Sequence, residues 1–134
     1  LYLQEKGVYI KAKYNVYNTY RKLISGGDII TKKILDKLYK GFMQVHILYH
    51  ADRQPVFGVW IMQELKEHGY KVGPGTLYPL LASMQQDGLL KMEETLVSGK
   101  IRKYYMITEK GKEILKKAKE KVVELTKEIT EEQK

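Results

Sequence analysis

The sequence predicts a mainly α-helical chain with one small β-hairpin and a separate C-terminal helix. Three observations predict it. Apolar residues recur at helical spacing in four stretches. Two strand-like runs, Leu89–Leu96 and Ile101–Ile107, flank the turn residues Val97-Ser98-Gly99-Lys100. After Thr108, a charged stretch places Leu115, Ala118, Val122, Leu125 and Ile129 at steps of 3, 4, 3, 4, the seam of a short coiled coil.

In chain order, residues 1–27 come first and fit no element. They hold five of the eleven tyrosines (Tyr2, Tyr9, Tyr14, Tyr17, Tyr20) and five basic side chains against one acidic. No period of 2 or 3.6 persists, so the segment reads as a basic, weakly ordered extension. The chain starts at Leu1, and Gly26-Gly27-Asp28 is what a translated ribosome-binding sequence would encode. On that reading residues 1–27 are not part of the native protein.

From Ile30 to Ala51, the positions Leu35, Leu38, Phe42, Val45 and Tyr49 mark one face of an amphipathic helix. Gly41 lies inside it and weakens it by up to roughly 1 kcal/mol relative to alanine. Asp52-Arg53-Gln54-Pro55 is a connector. Phe57, Trp60, Ile61 and Leu65 define a second, shorter helix that Gly69 closes. Tyr70-Lys71-Val72 forms a turn. A third helix runs from about Pro74 to Asp87. Gly73 is an acceptable N-cap, Pro74 suits the first helical position, and Gly88 is the C-cap. Leu77, Leu80, Leu81 and Met84 make its apolar face. Pro79 conflicts with a regular helix, because it removes one backbone donor and crowds the carbonyl four residues back. A bent or irregular first turn is expected. Thr108 then caps the final helix, with Gly111 in its first turns. Its narrow seam is insecure as an isolated helix and needs a partner surface. That surface is either a second copy of the chain or the first helix of the same chain.

Helix, helix, helix and a two-stranded wing is the order of a winged helix-turn-helix domain. The division expected is the extension 1–27, a winged-helix DNA-binding domain 28–107, and a coiled-coil-like dimerisation helix 108–134. The composition agrees with a nucleic-acid partner. The 134 residues carry a net charge of +8, and a basic surface favours polyanions. The excess is uneven: +4 in residues 1–27 and +2 in residues 69–107, against +1 in each of the other two segments. There is no cysteine, which excludes disulfides, thiolate metal sites and a cysteine nucleophile. No nucleophile–base pair or phosphate loop is present, so no catalytic residue and no cofactor are assigned. No apolar run reaches the length of a membrane span, and no signal-peptide pattern appears. A cytoplasmic protein without a membrane partner is expected.

The candidate DNA contacts follow from residue type. Thr76, Tyr78, Ser83 and Gln86 lie mostly off the apolar face of the third helix and are uncharged hydrogen-bonding groups suited to base edges or phosphates. Gly75 permits close backbone approach at a helix N-terminus, which favours an anion. Gly75, Thr76, Tyr78 and Ser83 are therefore the contact candidates; the competing role for Tyr78 is packing on its own domain. In the wing, Lys100, Arg102 and Lys103 suit phosphate contacts. Alternation puts Arg102 and Lys103 on opposite faces, and likewise Tyr104 and Tyr105, one of which should support the core. Trp60 either lines an effector pocket or belongs to the core. His46 and His50 stand at i, i+4, a spacing that can place two imidazoles on one metal. The third histidine, His68, is distant along the chain. Packing or surface histidines are expected there, and no metal.

The combined pattern makes a sharper match. Gly73-Pro74-Gly75-Thr76-Leu77-Tyr78-Pro79-Leu80-Leu81, then Asp87-Gly88-Leu89-Leu90, then Arg102-Lys103-Tyr104-Tyr105-Met106-Ile107-Thr108-Glu109-Lys110-Gly111 resembles the PadR family of bacterial transcriptional regulators. Phe42-Met43-Gln44-Val45-His46-Ile47-Leu48 resembles its first helix, and the likeness covers about residues 35–132. Two departures stand out. The family often opens its second helix with tyrosine-glycine-tyrosine-glutamate, where this chain has Phe57-Gly58-Val59-Trp60. Gly73 stands where serine is common. The resemblance implies a homodimer built by the C-terminal helix and a palindromic double-stranded operator. It also implies repression, with release of DNA by a small-molecule effector in the responsive members. The alternative is a winged helix used as a protein–protein interaction module without operator binding.

Overall fold

The computed structural model describes residues 29–131, so the tyrosine-rich extension lies outside the described residues. The elements are α1 (Ile29–Arg53), β1 (Val56–Phe57), α2 (Gly58–Glu67), α3 (Pro74–Gln86), β2 (Leu90–Val97), β3 (Lys100–Ile107) and α4 (Glu109–Glu131). This is a mainly helical fold with a small antiparallel sheet, a winged helix-turn-helix followed by a long C-terminal helix.

Local signals set the helix ends. At the end of α2, Gly69 adopts φ +90°, its N–H donates to the Lys66 carbonyl, and the Tyr70 N–H donates to that of Leu65. At the end of α3, Gly88 adopts φ +77°, its N–H donates to the Gln85 carbonyl, and the Leu89 N–H donates to that of Met84. Both are Schellman closures, and the left-handed conformation is cheap only for glycine. The start of α4 is set by Thr108, whose Oγ1 accepts the Gly111 N–H at 3.0 Å and donates to the Gly88 carbonyl at 2.5 Å. Lys110 Nζ donates to the Asp87 carbonyl at 2.8 Å, so the entry to α4 is tied to the exit of α3. Gly111 is buried there. A Cβ on it would collide with the Leu89 carbonyl oxygen and the Ile107 side chain, so the crossing of α4 over the β2 entry requires glycine.

Pro79 sits inside α3 on the solvent side, and the helix runs unbroken from Pro74 to Gln86. The expected irregularity of the first turn is not seen. The Thr76 and Leu77 N–H groups both bond the Gly73 carbonyl, so the first turn closes normally.

The wing turns through Ser98 (φ +50°) and Gly99 (φ +79°). Two consecutive positive φ values match the twist of a tight hairpin. The register pairs Thr95 with Arg102, Glu94 with Lys103 and Leu96 with Ile101. Sequence periodicity places only two strands in this sheet, but the structure has three, in the order β1-β3-β2. Phe57 is the point of difference. Val56 and Phe57 pair with Tyr105 and Tyr104 as an added strand, so Phe57 precedes α2 instead of starting it. Two residues are too few for an alternation to show.

The core lies between α1, α2, α3 and the base of the sheet. Ile47, Ile61, Leu65, Leu77, Leu81, Met84 and Leu90 are fully buried in it. Each contributes roughly 1.5–3 kcal/mol of transfer free energy. The apolar face of α3 is the one its spacing predicts. That of α1 is not: its buried residues are Met43, Ile47, Leu48 and Ala51, while Leu38 and Tyr49 of the expected face remain exposed. At 3.6 residues per turn the two stripes lie on roughly opposite sides of α1.

Candidate nucleic-acid interface

The solvent face of α3 is built by subtraction. Leu77, Leu80, Leu81 and Met84 turn into the core, which leaves Gly75, Thr76, Tyr78, Ser83 and Gln86 exposed on the other side. The helix carries no charged residue. Its outer face is therefore a row of neutral donors and acceptors with no carboxylate to repel a phosphate.

Tyr78 packs on its own domain and is also open to solvent. Its ring lies against Gly58, where an added Cβ would come within 2.5 Å of Cε1 and 2.9 Å of the hydroxyl oxygen. It is nonetheless 44% exposed. The missing side chain at Gly58 thus fixes the position of a tyrosine that still reaches solvent. Sequence reasoning did not single out Gly58 for this; the signal available was a glycine at the first position of a helix. Tyr105, 6% exposed, is the tyrosine that supports the core. Burial, and then the neighbouring Tyr78, push its hydroxyl above the usual tyrosine range.

The three wing cations are exposed but not equivalent. Register puts Lys103 on the face of Tyr105 and Arg102 on the face of Tyr104. The Arg102 guanidinium lies 4.2 Å over the Phe57 ring, and Phe57 meets Tyr104 edge-to-face at 5.6 Å. Arg102 is thereby held by a cation–π contact with the added strand, while Lys100 and Lys103 stand on the open hairpin. Leu96 and Ile101, opposite one another near the tip, are 71% and 67% exposed.

The seam of α4 divides along its length. Leu115 packs on the core and Ala118 is half-buried. Val122, Leu125 and Ile129 are exposed in the single chain. α4 runs beside α1, and the fold-back alternative leaves Val122, Leu125 and Ile129 uncovered.

Trp60 is half-buried against the core and meets His50 edge-to-face at 5.3 Å. The distant His68 is brought to the other two histidines: one ring nitrogen from each of His46, His50 and His68 lies within 4.8 Å of the others. Periodicity within α1 could not show this, because the third member arrives from the C-cap of α2. Burial, opposed by the Glu64 carboxylate, lowers the His50 pKa from its ordinary value.

Among the described residues no helix is long and apolar enough to cross a membrane. The model of the transcriptional regulator PadR-like family matches residues 47–117. The transcriptional regulator Rv3488 of Mycobacterium tuberculosis is 42% identical over 87 residues, which span 65% of this chain and 81% of that protein. The crystal structure of a PadR-like transcriptional regulator from Bacillus cereus is 33% identical with a TM-score of 0.64, over 70% of this chain and 93% of that one. A PadR family transcriptional regulator from Eggerthella lenta superposes with a TM-score of 0.65 at 27% identity, over 76% and 90% of the two chains.

Proposed function

The chain belongs to the PadR-like family of transcriptional regulators, and from that premise we propose that it is a homodimeric, DNA-binding repressor. The observation that carries this reading is the outer face of α3. It is exposed, uncharged and rich in hydrogen-bonding groups, and it is accompanied by a wing bearing Lys100, Arg102 and Lys103. Gly75, Thr76, Tyr78 and Ser83 enter a major groove, and the wing cations hold phosphates that position the protein without specifying sequence. The exposed half of the α4 seam, Val122, Leu125 and Ile129, pairs with its counterpart in a second copy, together with Leu115 and Ala118 nearer the domain. A two-fold dimer then sets two α3 helices about 34–36 Å apart, one helical turn of a palindromic operator. A small-molecule effector, with Trp60 lining its pocket, releases DNA by binding more tightly to a dimer whose helix spacing no longer fits. Such a regulator works in the cytoplasm.

Fluorescence anisotropy tests this with a labelled fragment from immediately upstream of the gene, beside a random fragment of equal length, across a salt series. A preference for the upstream fragment that persists as salt rises supports operator binding. Six wing phosphate contacts per dimer give a slope of about −5 in log K against log salt. Equal binding to both fragments rejects sequence recognition. Salt-insensitive capture of a protein with no DNA binding favours the interaction module, for which the exposed apolar pair Leu96 and Ile101 at the wing tip speaks.

A further inference from the structure

The histidines of the α1–α2 junction are not used by the DNA-binding reading. His46 and His50 project from one side of α1, one turn apart. His68 occupies the C-cap of α2, held there by the Schellman closure at Gly69. One ring nitrogen from each lies within 4.8 Å of the others. Glu64, one turn before His68, stands beside two of the three. Its Oε1 lies 3.6 Å from His50 Nε2 and 3.8 Å from His68 Nε2. Both distances exceed those of a hydrogen bond, and His50 Nε2 is buried with no hydrogen-bond partner. A buried polar atom left without a partner is uncommon and asks for an explanation.

We propose that His46, His50, His68 and Glu64 form a binding site for one divalent transition-metal ion of the zinc type. The donor set selects the ion. Three imidazoles and a carboxylate suit zinc, cobalt, nickel or copper better than magnesium or calcium, and no thiolate is available for softer chemistry. Four such ligands make a tetrahedron with metal–nitrogen bonds of about 2.1 Å, whose corners are about 3.4 Å apart. The three histidine nitrogens lie within 4.8 Å of one another, and binding an ion requires their side chains and that of Glu64 to rotate inward. The surroundings favour the site. Trp60 borders His50, and Tyr70 meets the His46 ring at 5.4 Å. Arg53, the basic side chain near His50, is engaged with the Tyr49 hydroxyl and ring. A bound ion clips the middle of α1 to the end of α2, the element that leads into α3. The inference stands apart from the DNA-binding reading, since it concerns only what the junction binds.

The experiment is calorimetric titration of the untagged, chelator-treated chain with zinc chloride. Cobalt(II) absorption and thermal melts with and without metal accompany it. The expected result is one ion per chain at micromolar affinity or tighter, an intense visible cobalt band of tetrahedral type, and a raised melting temperature. His68→Gln and His46→Gln, both on partly exposed side chains, should each weaken binding at least tenfold and abolish the cobalt band. Glu64→Gln should weaken it less. Absence of binding by the wild-type chain at millimolar zinc overturns the proposal whatever the variants do. So does undiminished binding by the His46→Gln/His68→Gln double variant, which would put the ion elsewhere.

Discussion

α3 and α1 invite comparison because the same spacing rule applies to both and succeeds fully in one. In α3 the apolar residues form a single stripe, so Leu77, Leu80, Leu81 and Met84 have one way to be buried. α1 carries two stripes. The regular one, Leu35, Leu38, Phe42, Val45 and Tyr49, attracts notice because its steps are even. The core is instead packed by Met43, Ile47, Leu48 and Ala51 on roughly the opposite side. Periodicity identifies an amphipathic helix, but where two faces are apolar it does not rank them. The ranking is made by what stands opposite, here Ile61 and Leu65 of α2 among others. The face left over is partly covered, and α4 runs alongside the same helix.

The sharpest way to break this comparison is to truncate one residue from each face of α1. Ile47→Ala removes a fully buried side chain and should cost about 2–5 kcal/mol in urea unfolding. Leu38→Ala should cost about 0.5–1 kcal/mol at low protein concentration. Equal costs would refute the assignment of faces; a Leu38→Ala cost that grows with concentration would place that face in a dimer contact. Next in size is Gly111→Ala, which forces a Cβ onto the Leu89 carbonyl and Ile107. It should destabilise by about 1–3 kcal/mol and lower the melting temperature, with unchanged helical circular dichroism at low temperature. On α3, Thr76→Ala should leave unfolding within about 0.5 kcal/mol of the parent and weaken operator binding by about 0.5–1.5 kcal/mol, the worth of one hydrogen bond. Stability loss without loss of affinity would turn that helix face from contact to structure. The smallest effect is a gain. Gly41 lies in α1 where an added Cβ meets nothing within 4 Å. Gly41→Ala should therefore stabilise by up to about 1 kcal/mol, readable as a raised urea midpoint.

The two glycines show what was legible before the structure and what was not. Both stand in helical patterns and carry the same local penalty relative to alanine. Only the crossing of α4 over the start of β2 separates a glycine that is free to change from one that is required. Gly69 and Gly88 are the opposite case. Their closing of α2 and α3 follows from neighbouring residues alone, and the structure places each in the left-handed conformation.

By itself the sequence determined the helices of the domain, their caps, the hairpin turn, the buried face of α3 and the split of Arg102 from Lys103. These depend on residues within one or two helical turns, or on strict strand alternation, and so are written locally. The family likeness was legible for the same reason, since its motifs lie at turns and caps. Tertiary structure alone decided which face of α1 is buried, that Val56 and Phe57 join the sheet, that Gly58 seats the ring of Tyr78, and that His68 meets His46 and His50. Each of these joins residues from separate elements, and what can pack between two surfaces is set by their mutual placement, which no single stretch of chain contains.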